Sequence, residues 1–257
     1  MPFEEREWRL AVRLFETLGL DLRAYKRPQL ERRLESFMQR EGMASLEAMF
    51  AAVRKSPPFF EQFHTYLTIH VSDFFRDPPF WNALSQLVTE RPKNDVWRVW
   101  SAGCSWGAEP VSAALLLESA GRRYDIVATD SDETVLAQAR RGKYTTDQLQ
   151  KVPEPYRRCF REEAGDVELK PLLHGNLSYQ RHDVTTTPLP GPFDLIICRN
   201  LIIYFEKPVR ERVLEGFRGV LAPQGLLFLG ATETFLDYAR LGFRAVGPSL
   251  FQLSAQS

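Results

Sequence analysis

WSAGCSWGAEPVSAALLL, residues 100–117, is the stretch from which the rest of the chain can be read. It follows the short apolar run DVWRVW and combines Gly103 and Gly107 with Pro110 and then an unbroken run of helix formers. A strand that enters a glycine-containing turn and then a helix is the first unit of an open parallel sheet, where ligands lie beyond the carboxyl ends of the strands. The dinucleotide form of this turn needs GxGxxG so that a pyrophosphate can meet a helix N-terminus. Here Ser105 stands where the middle glycine belongs. The next apolar run, YDIVATD, ends on Asp130, and a carboxylate at the tip of a second strand suits a ribose diol. Together the turn and the acid point to adenosine without a pyrophosphate. A tight turn followed by a helix cap accounts for the same residues equally well.

Upstream of this stretch the pattern is helical. EREWRLAVRLFETLG, RPQLERRLESFMQREG, SLEAMFAAVRKS and PPFFEQFHTYLTIH carry apolar residues at helical spacing and are separated by Gly, Pro or Ser. Downstream, short apolar runs alternate with helices: VWRVW with PVSAALLLESAG, YDIVATD with DETVLAQARRG, FDLIICR with KPVRERVLEGFRGVLAP, and then LLFLGA. That alternation predicts an α/β fold with a doubly wound, mostly parallel sheet, and FRAVGPSLFQL predicts an antiparallel strand pair at its C-terminal edge. The expected organisation is a helical domain with its linker over 1–91 and a ligand-binding domain over 92–257. Within the latter, 145–182, including VELKPLLHGNLSYQRHDV, is expected to form a small antiparallel β insertion.

Composition excludes several classes of function. With 44% apolar and 26% charged residues the chain is an ordinary soluble one. Its zero formal charge and pI near 6.9 give no whole-molecule attraction to nucleic acid or anionic lipid. Cys104, Cys159 and Cys198 are odd in number and contain no CxxC, which argues against a disulfide framework and a metal cluster and for a reducing, cytoplasmic setting. MPFEEREWRL has acids where a signal peptide has bases, and no apolar run is long enough to span or insert into a bilayer.

VSDFFRDPPFW, WSAGCSWGAEPVS, ATDSDETVLAQARRGKY, GPFDLIICRNLIIYFEK and LAPQGLLFLGATE resemble, in this order, the successive motifs of the CheR family of chemoreceptor glutamate methyltransferases. The resemblance implies an S-adenosylmethionine-dependent O-methyltransferase, with S-adenosylhomocysteine as product and no metal, on a methyltransferase-type sheet. It implies a monomer acting on the cytoplasmic helical bundle of a chemoreceptor. Carried over motif by motif, it assigns cofactor contacts to His70, Ser72 and Arg76 in HVSDFFR, to Glu109 and Asp130, to Asp183 and Val184 in RHDV, and to Arg199 and Asn200 in CRNLIIYF. Arg76, whose fork suits a carboxylate, and Tyr204, whose hydroxyl can orient the acceptor, are the expected catalytic groups.

His70 stands where the family has an asparagine and Asp183–Val184 where it has an Asn-Leu pair, and the first loop departs at three places: Trp106 replaces a threonine, Ala108 the first acid of GEEP, and Val111 a tyrosine. Trp106 is expected either to stack on the cofactor or to cover the mouth of its pocket. Between Arg23 and Arg40, six bases face two acids, and Arg23, Lys26, Arg27, Arg32 and Arg33 are expected to steer an acidic receptor surface, although such runs are commonly solvated faces. Two rival readings stay open on the sequence: a degenerate cofactor-binding module, and a methyltransferase of the same fold acting on a small molecule or RNA.

Overall fold

In the computed structural model, residues 3–18, 20–67, 72–91, 96–163, 166–170, 173, 176–233 and 238–254 are described. The chain forms two compact units, one of residues 1–70 with 204–210 and the other of 71–203 with 211–257.

The first unit is helical. Helices α1 (Glu5–Glu16), α2 (Arg27–Arg40), α3 (Leu46–Lys55) and α4 (Pro57–Leu67) carry the apolar stripes read in the sequence. A capping box at Glu4 starts α1, and the Ser45 hydroxyl accepts the Ala48 N–H at the start of α3 (3.2 Å). Trp8, Ala11 and Phe15 of α1 meet Leu30, Leu34 and Phe37 of α2 in one core, where Phe15 stacks on Phe63 at 4.9 Å.

The second unit begins with α5 (Pro78–Glu90), which buries Trp81, Leu84 and Val88. The expected boundary at 91/92 therefore differs from the observed division near residue 70. The apolar face of α5 packs in this unit's core, with Trp81 edge-on to Phe228 at 5.2 Å. Seven strands follow in one sheet: β1 (Val96–Ala102), β2 (Arg123–Asp130), β6 (Leu177–Arg181), β7 (Phe193–Cys198), β8 (Leu221–Leu229), β9 (Phe243–Gly247) and β10 (Leu250–Leu253). Their order is β6-β2-β1-β7-β8-β10-β9; the first five are parallel, and β9 and β10 are the antiparallel pair expected at the edge. The chain moves outward from β1 in both directions, so the switch point of the sheet lies beside β1. Helix α6 (Ala108–Ser119) is buried along Ala108–Leu117, as an all-round apolar helix must be. Helices α7 (Glu133–Arg141) and α10 (Lys207–Val220) complete the alternation.

The insertion is a three-stranded antiparallel sheet of β3 (Lys143–Tyr144), β5 (Asp166–Leu169) and β4 (Phe160–Glu163), with the short helices α8 (Thr146–Gln150) and α9 (Glu154–Arg157). Residues 177–181, expected within it, instead form β6 and pair in parallel with β2 from Ile126↔Leu177 to Asp130↔Arg181. An alternating strand such as LSYQR suits either sheet, and only its partner decides. Among the described residues no helix is long and apolar enough to cross a membrane.

Candidate active site

The site is built where β1, β2, β7 and β8 end. In the turn after β1, Gly103, Ser105 and Gly107 all have positive φ (83°, 51° and 93°). A Cβ on Gly103 would lie 2.6 Å from the movable Leu201 Cδ2 and one on Gly107 3.0 Å from the Ala139 Cβ, so both positions favour glycine for backbone and Gly107 for space as well. The Gly103 and Cys104 N–H groups both donate to the Thr129 carbonyl (2.8 Å each), which draws the turn over the tip of β2. There Asp130 accepts the Ser105 N–H on Oδ2 (2.9 Å) and the Asp132 N–H on Oδ1 (3.1 Å). Asp132 caps α7 through the Thr134 N–H (2.8 Å), so the cap of this helix is Asp132 and not Asp130.

Glu109 lies in the first turn of α6 and accepts the Ser101 hydroxyl at 2.7 Å. Burial pushes its carboxyl up to about 7, against the pull of Arg199, the Ser101 hydroxyl and Arg76, while Glu233 adds to the rise. Arg199 leaves the end of β7 buried, 2.8 Å from Asp77 and with its guanidinium 4.8 Å above Phe228. Burial lowers its pKa while Glu109, Asp77 and Glu233 hold its charge. Next to it, Asn200 adopts φ 59°. The Asn200 Oδ1 and Ser105 Oγ are buried with no hydrogen-bond partner among the described residues.

The FFRDP segment is anchored as its sequence suggests. The Phe75 N–H donates to Ser112 Oγ of α6 (3.0 Å), Phe75 stacks on Tyr156 at 4.8 Å, and the Trp81 indole N–H donates to the Arg76 carbonyl (3.0 Å). Phe75, Asp77, Ser105 and Asn200, four non-glycine residues in the left-handed region, all fall in these segments, and strain of that kind gathers where geometry serves a site. Ser72 is half-buried, whereas His70 lies outside the described residues. The His182 N–H donates to the Asp130 carbonyl (2.9 Å), which brings the turn after β6 to the same end of the sheet. In that turn Val184 is buried, and exposed Asp183 accepts the Thr185 N–H (2.9 Å) and hydroxyl (2.8 Å).

Trp106 neither faces solvent at a pocket mouth nor stands alone in the turn. Its ring is 8% exposed and packs 5.5 Å from Phe74 and 6.0 Å from Tyr144 of the insertion. Ala108 and Val111 are fully buried in α6.

Tyr204 belongs to the first unit, where its carbonyl accepts the Lys26 N–H (2.8 Å). The basic helix is less available than its sequence implied. Arg23 pairs with Glu16 (2.7 Å) and Asp21 (2.8 Å), Arg27 with Glu5 (2.5 Å) and Glu31 (2.6 Å), and Arg33 donates to the Tyr66 carbonyl while its guanidinium lies 5.0 Å over the Tyr66 ring. Arg32 is exposed and Lys26 half-buried. Asp77, Ser101 and Glu233 were not singled out in the sequence. The first and last lie within FFRDPP and LFLGATE, but only their partners reveal them.

The family description "CheR methyltransferase, all-alpha domain" matches residues 9–68, and "CheR methyltransferase, SAM binding domain" matches residues 70–246. The chain belongs to the CheR methyltransferase family. A chemotaxis protein methyltransferase of Listeria monocytogenes is 35% identical over 249 residues, covering 94% of this chain and 95% of the relative. Those of Klebsiella aerogenes and Escherichia coli are 32% and 30% identical, covering 100% and 96% of this chain and 92% and 90% of the relatives. As a CheR methyltransferase the protein is an S-adenosylmethionine-dependent enzyme that methylates glutamate side chains of chemoreceptors. The residues present suit that cofactor: acids at the tip of β2 and the start of α6, and the unpartnered Asn200 and Ser105 oxygens nearby in the same set of loops. Among the described residues no group of three His, Cys, Asp or Glu is placed to hold a metal ion.

Proposed function

We propose that this CheR methyltransferase holds S-adenosylmethionine along the carboxyl ends of β1, β2 and β7 and passes its methyl group to a receptor glutamate. The observation that carries the reading is the gathering of Asp130, Glu109 and Asn200 at one end of the sheet, with two buried oxygens left unsatisfied. When bound, the cofactor supplies an electrophilic methyl group on a sulfonium centre. Asp130, held at the tip of β2 by the Ser105 and Asp132 N–H groups, places a carboxylate where the ribose hydroxyls lie. Arg76 pairs with the methionyl carboxylate, and the Asn200 side-chain oxygen accepts from the methionyl ammonium. Ser72, the turn at Asp183 and Val184, and His70 complete the cofactor contacts on the strength of the family resemblance, which also places Arg199 in this set.

A general base is not needed. A glutamate side chain has an ordinary pKa near 4.3, so at neutral pH it is already an anion. The protein's task is to strip water from that anion and aim one oxygen in line with the methyl–sulfur bond. The hydroxyl of Tyr204 orients it without the strong pairing that would quench a nucleophile; this role rests on the residue's place in CRNLIIYF. The partner is the helical bundle of the receptor's cytoplasmic part, which places a monomeric enzyme in the cytoplasm without nucleic acid or membrane insertion. Since Arg23 and Arg27 are already ion-paired, Arg32 and Lys26 carry the steering.

The acceptor is tested by incubating the enzyme with methyl-labelled cofactor and receptor cytoplasmic domains. A glutamyl ester releases all its label as methanol in mild alkali; label that survives denotes an N-methyl or ring-methyl product and refutes the carboxylate reading. The cofactor site is tested by Asp130→Ala, which is expected to weaken S-adenosylhomocysteine binding by about 1.5–3 kcal/mol, roughly tenfold to a hundredfold, in titration calorimetry. Unchanged affinity removes Asp130 from the site.

A further inference from the structure

Glu233 follows β8, is buried, and takes part in none of the contacts assigned to the cofactor. Its Oε2 accepts the N–H groups of Asn200 (2.7 Å) and Gly230 (2.6 Å), and its Oε1 those of Leu201 (2.7 Å) and Ile202 (2.8 Å). Every one of these partners is a donor. Only an unprotonated carboxylate satisfies them all, because a protonated acid or an amide would direct a hydrogen at an N–H group. Burial holds the carboxyl above its ordinary range, and the backbone N–H groups oppose that rise. The bonds are short and charge-assisted, the stronger kind.

Three of the donors lie in the loop that leaves β7, the loop of Arg199 and of left-handed Asn200. The Leu201 side chain in turn occupies the space that Gly103 leaves by having no Cβ. On the other side, a Cβ on Gly230 would fall 2.7 Å from Glu233 Oε2 and 2.9 Å from the Asn200 nitrogen, so this glycine permits the approach. One carboxylate therefore ties the loop after β7 to the loop after β8 and fixes what is pressed against the first glycine turn.

We propose that Glu233 is a positioning residue for methyl transfer: its anion holds the 199–202 backbone so that the Asn200 amide is presented to the cofactor, which Glu233 does not itself touch. This rests on the assignment of Asn200 to the cofactor made above.

Glu233→Gln, Asn200→Ala and the double variant of the full chain are compared with wild type by calorimetric titration with S-adenosylhomocysteine and by amide hydrogen exchange. Glu233→Gln is expected to weaken binding about tenfold and to speed exchange at 199–202, while the amides of β1 and β2 keep their protection. Added to Asn200→Ala it weakens binding by less than about threefold more, because both changes act through one contact. Independent, fully multiplicative losses, or protection lost throughout the sheet, would mark Glu233 as a general stabiliser and overturn the proposal. Weakened binding in Asn200→Ala with wild-type affinity in Glu233→Gln overturns the role of Glu233 and leaves the cofactor assignment standing. Wild-type affinity in Asn200→Ala sinks that assignment, and the role of Glu233 with it. If Glu233→Gln does not fold, Glu233→Asp replaces it: the anion is kept but withdrawn by one methylene, and wild-type affinity together with wild-type exchange at 199–202 rejects the proposal.

Discussion

Trp106→Ala lowers the unfolding free energy of the second unit by about 3–5 kcal/mol and leaves cofactor affinity within about threefold of wild type. The expectation follows from where the ring lies. It is buried against Phe74 and Tyr144, and Phe74 in turn packs edge-on to Phe160 at 5.8 Å, so one aromatic cluster joins the FFRDP segment, the turn after β1 and the inserted sheet. Truncation loses the burial of the largest side chain in the cluster and leaves a cavity that these rings fill only in part. Trp106→Phe retains edge-to-face contacts and is expected to recover most of the loss. Hydrogen exchange of the β1 and β2 amides during urea titration reports the second unit separately, which matters because two compact units need not unfold together. Unchanged stability with lost affinity would instead make the ring a ligand contact.

The second large effect concerns the pH dependence of stability. Glu109 titrates near 7 in the folded protein against an ordinary value of 4.5, chiefly because burial penalises its charge. A carboxyl raised on folding binds its proton more tightly in the native state. The contribution of this group is then fully present below pH 4.5, falls as pH rises through 7 and is level above, a loss of about 3 kcal/mol from Glu109 alone. Glu109→Gln can still accept the Ser101 hydroxyl but carries no charge to desolvate. Its unfolding free energy is expected to match that of wild type near pH 4.5 and to exceed it by a few kcal/mol at pH 8, with cofactor affinity reduced because Arg76 and Arg199 lose an acid beside them. Denaturant midpoints measured across this range check it, and parallel curves for the two proteins would show that Glu109 is ionised without penalty.

This acid illustrates a wider division. Asp130 is legible from its place at the tip of an apolar run and Glu109 from the family motif, but neither signal reveals that one acid is desolvated beside Arg199 and the other is held by the Ser105 and Asp132 N–H groups. The basic helix shows the reverse case. Its charge surplus is plain in the sequence, yet much of it is spent within the first unit, because Glu5 and Glu16 come from a different helix.

Whatever depends only on neighbours along the chain is legible without the folded structure. Apolar period set the helical first unit and the strand–helix alternation of the second, and glycine spacing marked the turn after β1, because a residue's period and its permitted φ are local properties. The motif order carried the family. The tertiary structure alone decided that residues 177–181 join the main sheet beside β2, that α5 packs in the second unit, that Trp106 turns into an aromatic core, and that Glu233 gathers N–H groups from two loops. The physical reason is common to all four. Strand partners, buried faces and the donors of a buried carboxylate are supplied by segments distant in sequence, and a short alternating run, an amphipathic helix, a tryptophan or a glutamate reads the same whichever partner it will meet.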